Sequence, residues 1–165
     1  MESPWKSPTG IAHAECLLRS FRHFTGNPLL SNPLGGPELA RALFEAPFAL
    51  VSHGTEPDPI LNYGNATALA LWEMPWETFT RTPSRLTAEA PLREERARLL
   101  AQVTANGFID DYSGIRISAS GTRFRIHRAV VWNLLNLTGQ PCGQAACFSN
   151  WTPVENPPSK PTEGS

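Results

Sequence analysis

Apolar and polar positions alternate most regularly between Arg123 and Leu135. Phe124, Ile126, Arg128, Val130, Trp132 and Leu134 fall on even numbers; Arg123, Arg125, His127, Ala129, Val131 and Asn133 fall on odd ones. Successive side chains of a strand point to opposite faces, so this spacing predicts a strand with its even set toward a core. Arg128 interrupts that face. Either a bulge shifts the register there, or a charged group points inward toward a buried anion. Ile115 to Ile117 upstream and Gln144 to Trp151 downstream are also β-rich. They are set off by Ser120-Gly121 and by Thr138 to Pro141, where glycine and proline let the chain turn. Three sequential antiparallel strands, a meander, are expected.

Upstream the period changes. Ile11, Ala14, Leu17, Leu18 and Phe21 recur at helical spacing across 11–24, and Gly26-Asn27-Pro28 ends that helix. Its apolar face must cover either the main domain or a second copy of the chain. Pro37 opens a second helix over 37–46. Phe48 to Ser52 and Ile60 to Gly64 read as strands joined by a polar loop. Asn65 suits the cap of a helix from Ala66 to Glu73, and a short helix restarts at Met74 to Glu77. Residues 80–90 read as irregular. Pro91 opens a longer helix with Leu92, Leu99, Leu100 and Val103 on one face and Glu94 and Glu95 in its first turn, where the helix dipole favours them. Gly107 stops it. Residues 1–10 read as loose and 154–165 as a disordered tail. The division is therefore flanking helices at 1–46, a sheet-bearing domain at 47–153, and the tail.

Composition narrows the class. One domain is the natural count for 165 residues. A formal net charge of −1 supplies no long-range attraction to nucleic acid or an anionic membrane. No apolar run reaches the ~20 residues of a membrane-spanning helix, and no secretory leader pattern opens the chain. The cysteines are Cys16, Cys142 and Cys147. If extended, the span from Cys142 to Cys147 is ~16 Å, too far for a disulfide. With no zinc-ligand spacing either, a reducing cytoplasm is the expected compartment.

Two strands, a helical insertion and a three-strand meander form the layout of a PAS-type domain. Several strings resemble the MEKHLA family, whose domain is PAS-related: SHGTEPDPILNYGN at 52–65, PSRLTAE at 83–89, GFIDDYSGIRIS at 107–118, RFRIHRAVVWN at 123–133 and GQAACFSNW at 143–151. The resemblance covers about 11–154. It implies an α+β fold, a five-stranded antiparallel sheet covered on one face by helices, with N-terminal flanking helices and a ligand cavity between the layers. In plants the same domain closes class III homeodomain–leucine zipper proteins. This chain has neither a basic recognition helix nor a heptad run, so their DNA binding does not carry over.

Candidate ligand-binding residues follow from that layout. Phe124, Ile126, Trp132 and Phe148 are expected on the helix-facing side of the sheet, with Tyr63 and Trp72 opposite. Arg116 is either a sheet-surface arginine stacked on aromatics or an anchor for a carboxylate or phosphate. Arg128 is the second candidate anchor. His53, Glu56 and Asp58 share one loop that reads as a solvated turn or, less simply, as acid–base groups. Ser84, Arg85 and Glu89 form a polar cluster over the pocket mouth or cap the long helix. Cys147 reads as buried and inert. The flavin-thiol motif Asn-Cys-Arg-Phe is missing, and no metal motif stands out. His13 and His23 fall outside the expected core, which argues against haem. No cofactor is named by the sequence.

The expected function is a non-enzymatic, cytoplasmic sensory or ligand-binding domain, with a small molecule between sheet and helices and a homodimer through helix 11–24. A small enzyme on a cone-shaped, nuclear-transport-factor-like fold is one alternative. A filled-core interaction module is another.

Overall fold

The structure is a computed structural model that describes residues 3–31, 34–89 and 93–155. A 3₁₀ turn at Pro4–Lys6 leads directly into α1 (Pro8–Thr25), so the ordered chain starts earlier than expected. Ser7 caps α1 by accepting from the Gly10 amide at 2.9 Å. Gly26 closes it in a left-handed conformation, its N–H donating to Arg22 O. α2 (Gly36–Phe44) follows, then β1 (Ala49–His53) and β2 (Leu61–Gly64). The helical insertion is α3 (Ala66–Trp72), α4 (Trp76–Phe79), a 3₁₀ turn at Ser84–Thr87 and α5 (Arg93–Asn106). The meander is β3 (Phe108–Ile117), β4 (Arg123–Leu135) and β5 (Pro141–Phe148), which runs on past Ser149 into β6 (Asn150–Pro153). Strand order is β2-β1-β5-β4-β3, all neighbours antiparallel, with β6 beside the first half of β4.

Arg128 decides which residues face which layer. Its φ of +50° places a side-chain-bearing residue in the left-handed region, and it is exposed. The alternation flips across it. Phe124 and Ile126, then Ala129 and Val131, share one core; Trp132 and Leu134 belong to the other. The pairing with β3 shifts register at the same level, between Tyr112 and Gly114, and again just beyond, between Ile109 and Tyr112. Beside it, Phe148 and Trp151 share a face across Ser149. The bulge reading of Arg128 holds, and no buried anion is involved.

The sheet consequently has two covered faces. α3, α4 and α5 lie over the first; α1 and α2 lie over the second. On the second face Leu17 and Phe21 of α1 pack with Trp132 and Leu134, the Phe21 and Trp132 rings meeting edge-on at 4.9 Å. Burying each such side chain contributes about 1.5–3 kcal/mol. The apolar residues of helix 11–24 are thus committed to the chain's own sheet, Leu17 being 0% exposed. That removes the reason for a dimer through this face. His13, expected outside the core, is half-buried against Ser52 and Tyr63 at its edge.

Asn65 ties the layers together. Its Oδ1 accepts from Ala68 N at the start of α3 and from Leu50 N of β1, both at 3.1 Å. Its Nδ2 donates to Leu43 O and Phe48 O. At the far end of the insertion Gly107 (φ +83°) turns α5 into β3, and the Phe24 ring occupies the place a Cβ would take. Leu99 and Val103 pack inward as expected, but Leu100 is half exposed. Leu92, the start of α5 at Pro91 and the tail from 156 onward lie outside the described residues. Among the described residues no helix is long and apolar enough to cross a membrane.

Candidate ligand cavity between the sheet and the helical insertion

The first face is not filled. A cavity of about 510 Å³ lies between β1, β3, β4 and β5 on one side and α3, α4, α5 and the 84–89 segment on the other. Its apolar wall is Leu61, Trp72, Phe79, Ile126, Val131 and Phe148. Trp72 stands at the centre, with Phe124, Phe79 and Phe148 at 5.3, 5.9 and 6.0 Å in edge-on geometry. Its indole N–H donates to Thr87 O at 3.2 Å. That bond draws the 84–89 segment over the cavity, and Glu89 N donates to Ile115 O to hold the segment along β3.

The rim is polar. Arg116 lies at the cavity with its guanidinium 5.5 Å from the Tyr112 ring centroid, and Nη1 donates to Ile115 O at 3.3 Å. The stacked-arginine reading of Arg116 is therefore the one this geometry shows, and the stacking holds the guanidinium fork at the cavity. Arg85 pairs with Asp58 at 3.1 Å, and Arg123 pairs with Glu89. Among the described residues Arg116 pairs with no carboxylate, and its charge is the rim's uncompensated one. Ser84, Arg85 and Glu89 do sit at the mouth, as does His53. Glu56 turns back on its own loop to accept from Ile60 N at 3.2 Å. The hydrogen bond from its own backbone amide, with that from Ile60 N, holds its carboxyl below the usual range.

Of the eight candidate residues, Trp72, Arg116, Ile126 and Phe148 line this cavity, and Phe124 supports it from behind Trp72. Three do not belong to it. Trp132 is on the opposite face because the alternation flips at Arg128. Arg128 itself points to solvent. Tyr63 packs against α1 and α4, between the His13 and Trp76 rings at 5.5 and 5.7 Å, where burial pushes its phenol up. Tyr112, Val131 and Phe79 are cavity residues that the sequence reading omitted. Val131 was hidden by the register flip, and Tyr112 by the bulge beside it; the pattern gave no signal for Phe79.

One polar cluster lies behind the cavity. His13 Nε2 and Ser52 Oγ are 2.8 Å apart, and Ser52 Oγ donates to Asn62 Oδ1 at 2.5 Å. The serine proton is spent on Asn62, so His13 donates from Nε2. Burial lowers the imidazole to about 4, which keeps it neutral. This is a packing clamp between α1, β1 and β2 rather than a nucleophile with its base.

The sequence matches the MEKHLA domain family over residues 11–153. The chain belongs to the MEKHLA family. Among solved structures, the PAS domain of a protein from Colwellia psychrerythraea is similar at 13% identity, covering 71% of this chain and 94% of that one, with a TM-score of 0.58. A fungal LOV domain photoreceptor is similar at 14% identity over 90% and 95% of the two chains, with a TM-score of 0.57. An RNA-binding light-oxygen-voltage receptor is similar at 20% identity over 73% of this chain and 36% of that one, with a TM-score of 0.57. No curated protein matches. The MEKHLA chain thus has the PAS fold, and its strand order leaves the cone-fold alternative without support.

Proposed function

We propose that this MEKHLA domain is a non-enzymatic cytoplasmic sensor that holds an anionic small molecule, its apolar body against Trp72 and its carboxylate or phosphate on Arg116. The observation that carries this reading is the 510 Å³ cavity with, among the described residues, one rim guanidinium that pairs with no carboxylate. Cavities of a few hundred Å³, mostly apolar with a few polar groups, are the usual form of a ligand site. Arg116 already rests on Tyr112, so little side-chain entropy is lost when an anion docks. The 84–89 segment, tied across the opening through Trp72, Asp58, Ile115 and Arg123, is the element whose position a ligand would report to a partner.

The fluorescent anion 8-anilinonaphthalene-1-sulfonate has the required chemistry, an aromatic body with one sulfonate. It should bind the folded chain with 1:1 stoichiometry and quench Trp72. Arg116→Glu should weaken binding at least about tenfold, the loss of one charge-assisted contact. Ala146→Leu, which fills the cavity from β5, should abolish binding with the fold intact by circular dichroism. Binding unaffected by both substitutions would overturn the assignment and favour a filled-core interaction module.

A further inference from the structure

A second feature lies on the opposite side of the sheet. Cys16 of α1 and Cys142 of β5 are 126 positions apart in sequence, yet their sulfurs are 3.9 Å apart. Cys16 Sγ also donates to Leu135 O at 3.4 Å, so its side chain is held toward the end of β4, beside the start of β5. Both residues are half-buried. Both line an open groove of about 830 Å³ between α1 and the β4–β5 turn, through which a small oxidant reaches the sulfurs. Arg19, one turn further along α1, lines the same groove and donates to Leu135 O. Burial and the neighbouring Cys16 push the Cys142 thiol up to about 11, and the Arg19 charge acts in the opposite sense. Cys147, by contrast, is raised to about 12 by burial, and among the described residues it makes no sulfur contact like that of Cys16 with Cys142.

We propose that Cys16 and Cys142 are a peroxide-sensitive dithiol that closes reversibly to a disulfide and staples α1 to β5. In the first step the thiolate of one cysteine attacks a peroxide oxygen, the O–O bond breaks, and a sulfenic acid and hydroxide form. The second sulfur then attacks the sulfenic sulfur, the S–S bond forms, and the sulfenic oxygen leaves as hydroxide. The two thiol protons convert both hydroxides to water. Two electrons pass from the sulfur pair to the peroxide, and a thiol reductant returns them. Closure brings the sulfurs together by about 2 Å, to a bond of ~2.05 Å. The staple acts on strands that also form the cavity wall. Gln144, Ala145 and Ala146 follow Cys142 along β5, and His13, one turn before Cys16, is bonded to Ser52 of β1.

The test treats the intact chain with hydrogen peroxide at pH 8, then denatures and alkylates it. The expected product is lighter by about 2 Da before alkylation, keeps one alkylatable thiol of the three, and yields a non-reduced peptide pair joining Cys16 to Cys142. Dithiothreitol should restore all three thiols. Closing so long a loop should raise Tm on the order of 10 °C. Cys147→Ser should behave like the parent, whereas Cys142→Ser should gain neither the link nor the Tm rise. Peptide mapping of the parent stands even if a variant fails to fold. Three thiols still alkylatable after peroxide, a link through Cys147, a link between two chains, or separate sulfinic acids at Cys16 and Cys142 would each overturn the proposal.

Discussion

At the scale of single residues, Asn65 and Arg128 carry opposite kinds of information. Asn65 is 0% exposed and its amide makes four hydrogen bonds to main-chain groups of four neighbouring segments. Asn65→Ala removes a helix cap and strands buried donors and acceptors, so it should lower stability by about 2–4 kcal/mol in denaturant unfolding. Asn65→Asp keeps the cap acceptor but sets a carboxylate against Leu43 O and Phe48 O, and should rescue little. A change under about 1 kcal/mol for both would show that the network is dispensable. Arg128 is exposed at a positive φ, where any side chain strains the backbone. Arg128→Gly should leave stability unchanged or raise it by up to about 1 kcal/mol, while Arg128→Val should lower it. The reverse order would mean that the arginine side chain, not the backbone, sets the bulge.

At the scale of elements, α1 is joined to the sheet by a neutral histidine. His13 faces Ser52 on β1, Asn62 and Tyr63 on β2, and has Cys16 one turn ahead on its own helix. Its value falls from 6.5 to about 4 through burial. Between these values the unfolded chain binds the proton and the folded chain does not, so stability rises with pH across that window. Full stability is present above about 6.5 and is lost as the pH falls toward 4. Acidification from pH 7 to 4.5 should remove about 2–3 kcal/mol through this group. His13→Gln keeps a donor to Ser52 and should flatten that slope in urea unfolding curves recorded across the range. An unchanged slope would place the pH dependence elsewhere. Element types were legible because they rest on local chemistry: the 3.6-residue spacing of Ile11 to Phe21, the Asn65 cap, and the turns at Gly121 and Gly139. Where α1 docks was not, since an amphipathic helix carries the same pattern whether it covers its own sheet or a partner.

At the scale of the molecule, the cavity depends on which residues share a face, and strict alternation misplaces them. Phe124 and Ile126 were readable from period two, but one left-handed residue at Arg128 moved Trp132 to the far side and brought Val131 in. Tyr63 fell on the far side because β2 presents it to α1 and α4. That Arg116 stacks on an aromatic was readable from its place between two isoleucines; that the aromatic is Tyr112 was not, because it needs β3 to bend. The 84–89 segment carries no periodicity at all, and the Trp72 to Thr87 and Glu89 to Ile115 bonds show why it lies across the opening. That space is the proposed ligand site. Native mass spectrometry of the freshly purified full chain, with an absorption spectrum of the same sample, tests it most directly. The expected result is a non-covalent adduct of one small anion per chain, lost in Arg116→Glu and in Ala146→Leu. A bare chain mass that stays bare after incubation with a cell-derived metabolite extract would contradict it.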